Sequence, residues 1–228
     1  GVNFDNKVHS LVLKICANLG DKCLGVELHA CLIKKGFDLD AYCKTALMNF
    51  YGRCLDLDSA NKALNEMTCD KSLVWCEAIL VQLRNERWLE GLQIFRDMQL
   101  KCSSLKANSF TIAKVIQACA KLGYSDGGRQ IHGSAIRNAL DSNTLVCNSL
   151  INMYSKIYDL EHARSVFDLM ENRNLSSWNS LISGYAAFGY LDDAWKLFNE
   201  MEIFEIKPDH ITWNCLLSGH VFDESYLE

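Results

Sequence analysis

TLVCNSLINMYSKIYDLEHARSVFDLMENRN, residues 144–174, reads as two short helices joined by a turn. The first helix carries Leu150, Ile151 and Tyr154 on one face, and the turn falls near Tyr158-Asp159. The second carries Leu160, Ala163, Val166, Phe167 and Met170. Steps of three and four are the period of an amphipathic helix. The next segment repeats the second helix with Leu191, Ala194, Leu197, Phe198 and Met201. Small residues at Ala63, Ala163 and Ala194 let paired helices approach closely. One hairpin of this size cannot bury its apolar face. Stacked neighbours can, which predicts an all-α solenoid.

The repeat extends through the chain. Cys16 matches Cys119, Leu19-Gly20 matches Leu122-Gly123, and His29 matches His132, all at an offset of 103 residues. The same offset relates Asn49 to Asn152, Tyr51 to Tyr154, Met67 to Met170, Trp75 to Trp178, and Met98 to Met201. Each half divides into three helix–turn–helix subunits. They run 6–40, 41–71 and 72–108, then 109–143, 144–174 and 175–209, with a partial seventh, 210–228, opening at His210. Their lengths are 35, 31 and 37, then 35, 31 and 35.

Composition agrees. Hydrophobic residues make up 49% of the 228 and charged residues 22%, which fits a folded chain rather than a disordered one. The lone proline, Pro208, disfavours a turn-rich β fold. A net charge of −5 excludes a uniformly basic nucleic-acid binder but not a local basic groove. The 11 cysteines form no C-x-x-C and no zinc spacing, and read as buried free thiols. No apolar run approaches the ~20 residues of a membrane-spanning helix. The chain reads as a piece of a longer protein, with a helical pattern cut near Glu228. Asp192-Asp193 and Asp56/Asp58 sit where helices begin, and acids there favour the helix dipole over catalysis. The H-x-E and P-C-x-x-C strings of a zinc deaminase do not occur. No catalytic site, metal site, cofactor or small-molecule substrate is expected.

Trp178-Asn179-Ser180-Leu181-Ile182-Ser183-Gly184-Tyr185, followed by Gly189-Tyr190-Leu191-Asp192-Asp193-Ala194 and Ile206-Lys207-Pro208-Asp209, resembles the pentatricopeptide repeat. The 35–31–35 alternation resembles its long–short–standard (PLS) subclass. The resemblance covers residues 6–228 and implies a right-handed α-solenoid superhelix of about six full repeats plus the partial seventh. It also implies a plant organelle factor of chloroplast or mitochondrion that binds single-stranded RNA, one base per repeat, most often to direct C-to-U editing. Small editing cofactor proteins of the MORF/RIP type are the second partner implied, at the long-type repeats 6–40 and 109–143.

By this resemblance, a residue early in the first helix and the last residue of the repeat read the base edge together. The pairs are Thr45 with Lys71, Cys76 with Asn108, Asn148 with Asn174, and Asn179 with Asp209, and Asn214 begins another. In the long-type repeats they are Ser10 with Asp40 and Ala113 with Asn143. The resemblance assigns U to Asn179/Asp209, and C before U to Asn148/Asn174. Lys71 and Cys76 depart from the family pattern. The second residue of each repeat sandwiches the base, here Tyr42, Leu73, Phe110, Leu145 and Ile211, with Ser176 a departure. The thirteenth meets phosphate, here Arg53, Arg84, Lys121 and Lys156.

Each of these positions has a structural alternative. Asn148, Asn179 and Asn214 fall near helix starts, where asparagine also serves as an N-cap. Trp75, Trp178 and Trp213 fit core spacing better than a stacking platform, and His29 and His132 fit interhelical packing. A tetratricopeptide-like protein-binding scaffold competes with the RNA reading, but such repeats keep a regular 34-residue period.

Overall fold

The computed structural model describes residues 5–37, 40–65, 71–101 and 105–224. They contain thirteen helices and no strand. In order these are α1 (Asn6–Leu19), α2 (Lys22–Lys35), α3 (Ala41–Arg53), α4 (Leu57–Asn65), α5 (Ser72–Arg84) and α6 (Trp88–Lys101). There follow α7 (Ser109–Leu122), α8 (Ser125–Arg137), α9 (Thr144–Lys156), α10 (Leu160–Leu169), α11 (Leu175–Ala187), α12 (Leu191–Ile203) and α13 (His210–Glu224). Met67, paired above with Met170, lies outside the described residues.

The chain forms two compact units, Gly1–Thr111 and Ile112–Glu228. In the first, α1, α3 and α5 pack side by side, and α2, α4 and α6 each fold back on the helix before them. In the second, α9, α11 and α13 form the row, backed by α10 and α12. Within each unit, odd-numbered first helices thus make one layer and even-numbered second helices the other.

Six tight turns close the six hairpins. Each passes through one residue of positive φ: Gly20, Leu55, Glu86, Gly123, Tyr158 and Gly189, at 59–75°. Only a left-handed residue redirects the chain this sharply after a helix C-terminus. Glycine supplies it three times. Leu55, Glu86 and Tyr158 adopt it at a cost of ~1–2 kcal/mol each. Tyr158 recovers part of this by packing its ring on Phe188, with centroids 4.1 Å apart.

Glycines also set how close the helices come. A Cβ on Gly25 of α2 would lie 2.1 Å from the Phe50 ring of α3. In the second unit, Gly128 of α8 meets Met153 of α9 in the same way. These are equivalent positions 103 residues apart. The contact between first helices uses the same device with the partners exchanged. Gly52 of α3 faces Val81 of α5, whereas Ser155 of α9 faces Gly184 of α11. One side of each contact has no side chain, so either arrangement lets the helices touch.

The register of histidines and tyrosines is structural. His29 Nδ1 lies 2.7 Å from the Tyr51 hydroxyl, and His132 Nδ1 lies 2.9 Å from that of Tyr154. Both link a second helix to the first helix of the next repeat. Trp75 and Trp178 are buried in the core, as their spacing implies. Trp213 differs: it is 47% exposed, with one face on Phe198 at 4.8 Å. Apolar spacing does not reveal this, because it does not say which helices pack on α13, whose neighbours among the described residues are α11 and α12.

Candidate nucleic-acid interface

The last residue of each proposed repeat is the N-cap of the next first helix. Asp40 Oδ2 accepts from the Tyr42 and Cys43 N–H groups at 3.0 and 3.1 Å. Asn108, Asn143, Asn174 and Asp209 each accept from the N–H three residues on, at 2.8–3.3 Å. This explains the Asp/Asn preference by helix capping alone. Lys71 has no acceptor and makes no side-chain cap bond to α5. Capping therefore does not fall on Asn148, Asn179 or Asn214, which lie one turn inside their helices. The earlier position performs it.

That frees the interior asparagines to face the cap residue. Asn148 Nδ2 donates to Asn174 Oδ1 at 3.3 Å, and Asn179 Nδ2 donates to Asp209 Oδ1 at 3.2 Å. Residues 26 and 30 apart in sequence are thereby joined across two adjacent first helices. Asp209 is held below the ordinary carboxylate pKa, chiefly by the Thr212 backbone N–H, with the hydrogen bond from the Asn179 amide adding to it against burial. It is an anion at neutral pH.

The other positions are less equipped. The Thr45 hydroxyl donates to its own helix, at Ala41 O, 2.6 Å away. Lys71 is exposed. Cys76 is buried, and its partner Asn108 is exposed. Asn214 is exposed on α13.

Tyr42, Leu73, Phe110, Leu145 and Ile211 all present large apolar side chains to solvent, at 44–61% exposure. Each is the second residue of a first helix, where the helix surface would ordinarily be polar. In the second unit, Leu145 and Lys121 line a groove of about 320 Å³ with Asn148, Lys156 and Ser176. An adjoining groove of about 550 Å³ shares Asn152, Ser176 and Ser180 with it, and is lined by Asn174, Asn179, Asp209 and Ile211. The amide pairs, two exposed apolar residues and two lysines thus meet on one surface.

Arg53, Arg84, Lys121 and Lys156 each stand in the last turn of a first helix and are exposed. A cation there also suits the helix dipole. Arg84 is engaged by Glu77 at 3.2 Å, and Glu77 also accepts from Asn49. Arg53, Lys121 and Lys156 make no salt bridge among the described residues.

The acidic pairs act as caps and first-turn acids. Asp56 and Asp159 accept from the N–H groups of Ser59 and His162, and Asp193 pairs with Lys196. Among the described residues all nine cysteines are free, and burial raises Cys119 to about 11 and Cys43 to about 12. Such thiols are inert packing groups.

Hairpins stacked with their first helices in a row within each unit, and a recurrent asparagine facing a recurrent cap residue, define an α-helical repeat protein with a patterned surface. A PPR repeat family model matches residues 173–221, and a PPR repeat model matches 145–175. The chain is 34% identical over 225 residues to the chloroplastic pentatricopeptide repeat-containing protein CRR2 of Arabidopsis thaliana, covering 96% of this chain and 34% of that one. A mitochondrial pentatricopeptide repeat-containing protein of the same plant is 32% identical over 219 residues, covering 96% and 31%. The crystal structure of PPR10 with an 18-nucleotide psaJ RNA element superposes with a TM-score of 0.78 at 17% identity, over 96% of this chain and 33% of that one. The chain belongs to the pentatricopeptide repeat family. Its relatives put it among plant organelle proteins, and it spans about a third of their length.

Proposed function

We propose that this chain is the sequence-reading part of an organellar RNA-binding protein, with the base-reading pairs, sandwiching residues and cations named above. It holds single-stranded RNA along its first helices and performs no chemistry itself. The observation that carries this is the convergence of amide pairs, exposed apolar residues and free lysines in the second unit. The PPR10 complex with RNA supports the same reading.

The hydrogen-bond inventory supports the base preferences. At Asn179/Asp209 one amide N–H and one ionised carboxylate oxygen remain. Uracil offers an O acceptor and an N3–H donor to match, whereas the N3 of cytosine is an acceptor and repels a carboxylate. At Asn148/Asn174 the Asn174 oxygen is occupied by Asn148 and Ser177, so N–H donors remain. Cytosine presents two acceptors, N3 and O2, to such a pair. The finer role is recognition of C-to-U editing sites, with catalysis supplied elsewhere in the full-length protein or by a partner. The repeat frame 6–40, 41–71, 72–108, 109–143, 144–174, 175–209 and 210–228 is part of this proposal.

Selection from random single-stranded RNA tests it. A pyrimidine-containing motif should emerge, and duplex should not compete. Lys121→Ala with Lys156→Ala should weaken binding to every sequence. The same change should flatten the dependence of log K on log salt by about 0.7 per lost phosphate contact. A pool that enriches no motif overturns the reading.

A second reading, docking of small editing cofactor proteins at the long-type repeats, draws on α1. Val8, Leu11, Ile15 and Leu19 form an exposed apolar row at helical spacing. Leu11→Glu with Ile15→Glu should abolish capture of such a cofactor protein and leave RNA affinity intact.

A further inference from the structure

We infer that Thr212, the third residue of α13, is a positioning residue whose hydroxyl fixes the orientation in which Asn179 presents its amide to a base. This rests on the base-reading proposal above.

Thr212 is fully buried, so its hydroxyl must find partners inside the protein. It accepts from the Asp209 N–H at 3.1 Å and donates to Asn179 Oδ1 at 2.7 Å. A hydroxyl has one proton, and Asp209 Oδ1 lies 3.0 Å away as the competing acceptor. That oxygen already receives the Thr212 N–H at 2.9 Å and the Asn179 amide at 3.2 Å. The Asn179 carbonyl is the nearer acceptor and the one with fewer donors.

The consequence for Asn179 is specific. Its carbonyl is occupied by Thr212 and one N–H by Asp209, so one N–H is left for a ligand. A flip of the amide would turn its oxygen toward the carboxylate and its NH2 toward the hydroxyl. Asp209 opposes that exchange by repulsion between two oxygens, and Thr212 adds the bond from its hydroxyl to the Asn179 carbonyl, which the flip would break. A reader that could flip would offer a base either a donor or an acceptor and discriminate poorly.

Two other repeats isolate the effect of this residue. Thr111 holds the same place in α7, is fully buried, and gives its N–H to Asn108 Oδ1 at 2.8 Å. Its hydroxyl has no partner, and Cys76 stands where the later copy has Asn179. The buried hydroxyl is present without the amide it would hold. In α11 the third residue is Ser177, whose hydroxyl donates to Asn174 Oδ1 at 3.1 Å. Asn148 Oδ1 is left buried and unpartnered. Among these three, the full triad occurs at Asn179–Asp209–Thr212, so that repeat should discriminate bases most sharply.

The test uses the 228-residue chain and an RNA selected by it, with each nucleotide varied in turn. Asn179→Ala identifies the nucleotide that this repeat reads. Thr212→Val removes the hydroxyl at nearly constant volume, and Thr212→Ser keeps it. At that nucleotide the U-over-C preference should fall about tenfold in Thr212→Val, the worth of one aligned hydrogen bond. Thr212→Ser should retain it. Loss of helix capping alone lowers stability and weakens all four RNAs equally, leaving the ratio unmoved. Thr212→Ala takes the place of Thr212→Val where the latter melts below the assay temperature. A ratio unchanged in the hydroxyl-free variant, or lost in Thr212→Ser, overturns the inference while base reading by Asn179 stands. A wild-type chain with no preference at any position overturns base reading itself, and this inference with it.

Discussion

The exchanged partners between first helices give a double-mutant test of how neighbouring repeats are spaced. In the second unit, a Cβ on Gly184 would lie 2.3 Å from Ser155 Oγ and 2.8 Å from Ser155 Cβ. Gly184→Val, which copies Val81 from the first unit, therefore forces α9 and α11 apart. Overpacking of this kind costs ~1–3 kcal/mol, and the better helix propensity of valine returns ~0.4 kcal/mol. A loss near 2 kcal/mol lowers the melting temperature by roughly 4–8 °C in a chain of this size. Ser155→Gly costs ~0.5 kcal/mol in helix propensity. It also removes a buried hydroxyl that has no partner, so its net effect should lie near zero. The pair together rebuilds the Gly52/Val81 contact, in which glycine faces valine across the equivalent helices α3 and α5. Urea unfolding of all four proteins, followed by helical circular dichroism, should give a favourable coupling of ~1–3 kcal/mol. Two single effects that simply add, within ~0.5 kcal/mol, would refute the idea that this pair sets the helix separation.

Lys71→Asp should add the missing cap to α5 and raise stability by ~1 kcal/mol, read as a higher urea midpoint. Cys76→Asn should give the orphan Thr111 hydroxyl a carbonyl partner and raise stability by about 1 kcal/mol in the same assay; a fall of that size would argue that the two side chains do not meet. Acid should destabilise the fold in two stages. His132 is held below its ordinary pKa by burial and then by His162, with Asp141 opposing, so the folded state takes up its proton later than the unfolded chain. Stability is then full above ~6.5 and erodes as pH falls below it. Asp209 is depressed by its Thr212 and Asn179 hydrogen bonds. In Asp159, bonds from His162 and Arg129 outweigh the burial that pushes it up. The stability these carboxylates contribute is present above ~4 and lost as pH falls through their folded values. His132→Gln should remove the first stage, measured as the urea midpoint at pH 7.5 against 5.5, and leave the second.

Much of the fold was legible because helix packing is periodic and the chain repeats itself. Tyr51 and Tyr154, like His29 and His132, recur at one offset because His29–Tyr51 and His132–Tyr154 make the same bond between equivalent helices. The exchange of glycine between α3 and α11 was not legible. At position 52 against 155 and 81 against 184 the two copies simply differ, and only the helix contact shows that the differences compensate. Exposure of Trp213 was hidden for a related reason. Burial of a first-helix tryptophan depends on what packs beyond it, which periodicity within one helix does not contain.

The surface was legible in part. Pairing of Asn148 with Asn174 and Asn179 with Asp209 followed from family resemblance, and the two contacts exist in the structure. The capping alternative falls not on Asn148, Asn179 or Asn214 but on the last residue of the preceding repeat, because those asparagines are the fifth residues of their helices. The correction changes how the end-of-repeat position should be read. Asp40, Asn108, Asn143, Asn174 and Asp209 are held to short side chains with an acceptor oxygen by the helix that follows. Capping uses one oxygen of that side chain. What is left, a second carboxylate oxygen in Asp or an NH2 in Asn, is the only part free to differ between repeats without weakening the helix. A position that must cap can therefore vary between acceptor and donor, and little else. Lys71 marks the converse: a repeat that abandons the acceptor gives up its cap bond, and the Thr45 hydroxyl there turns to its own helix.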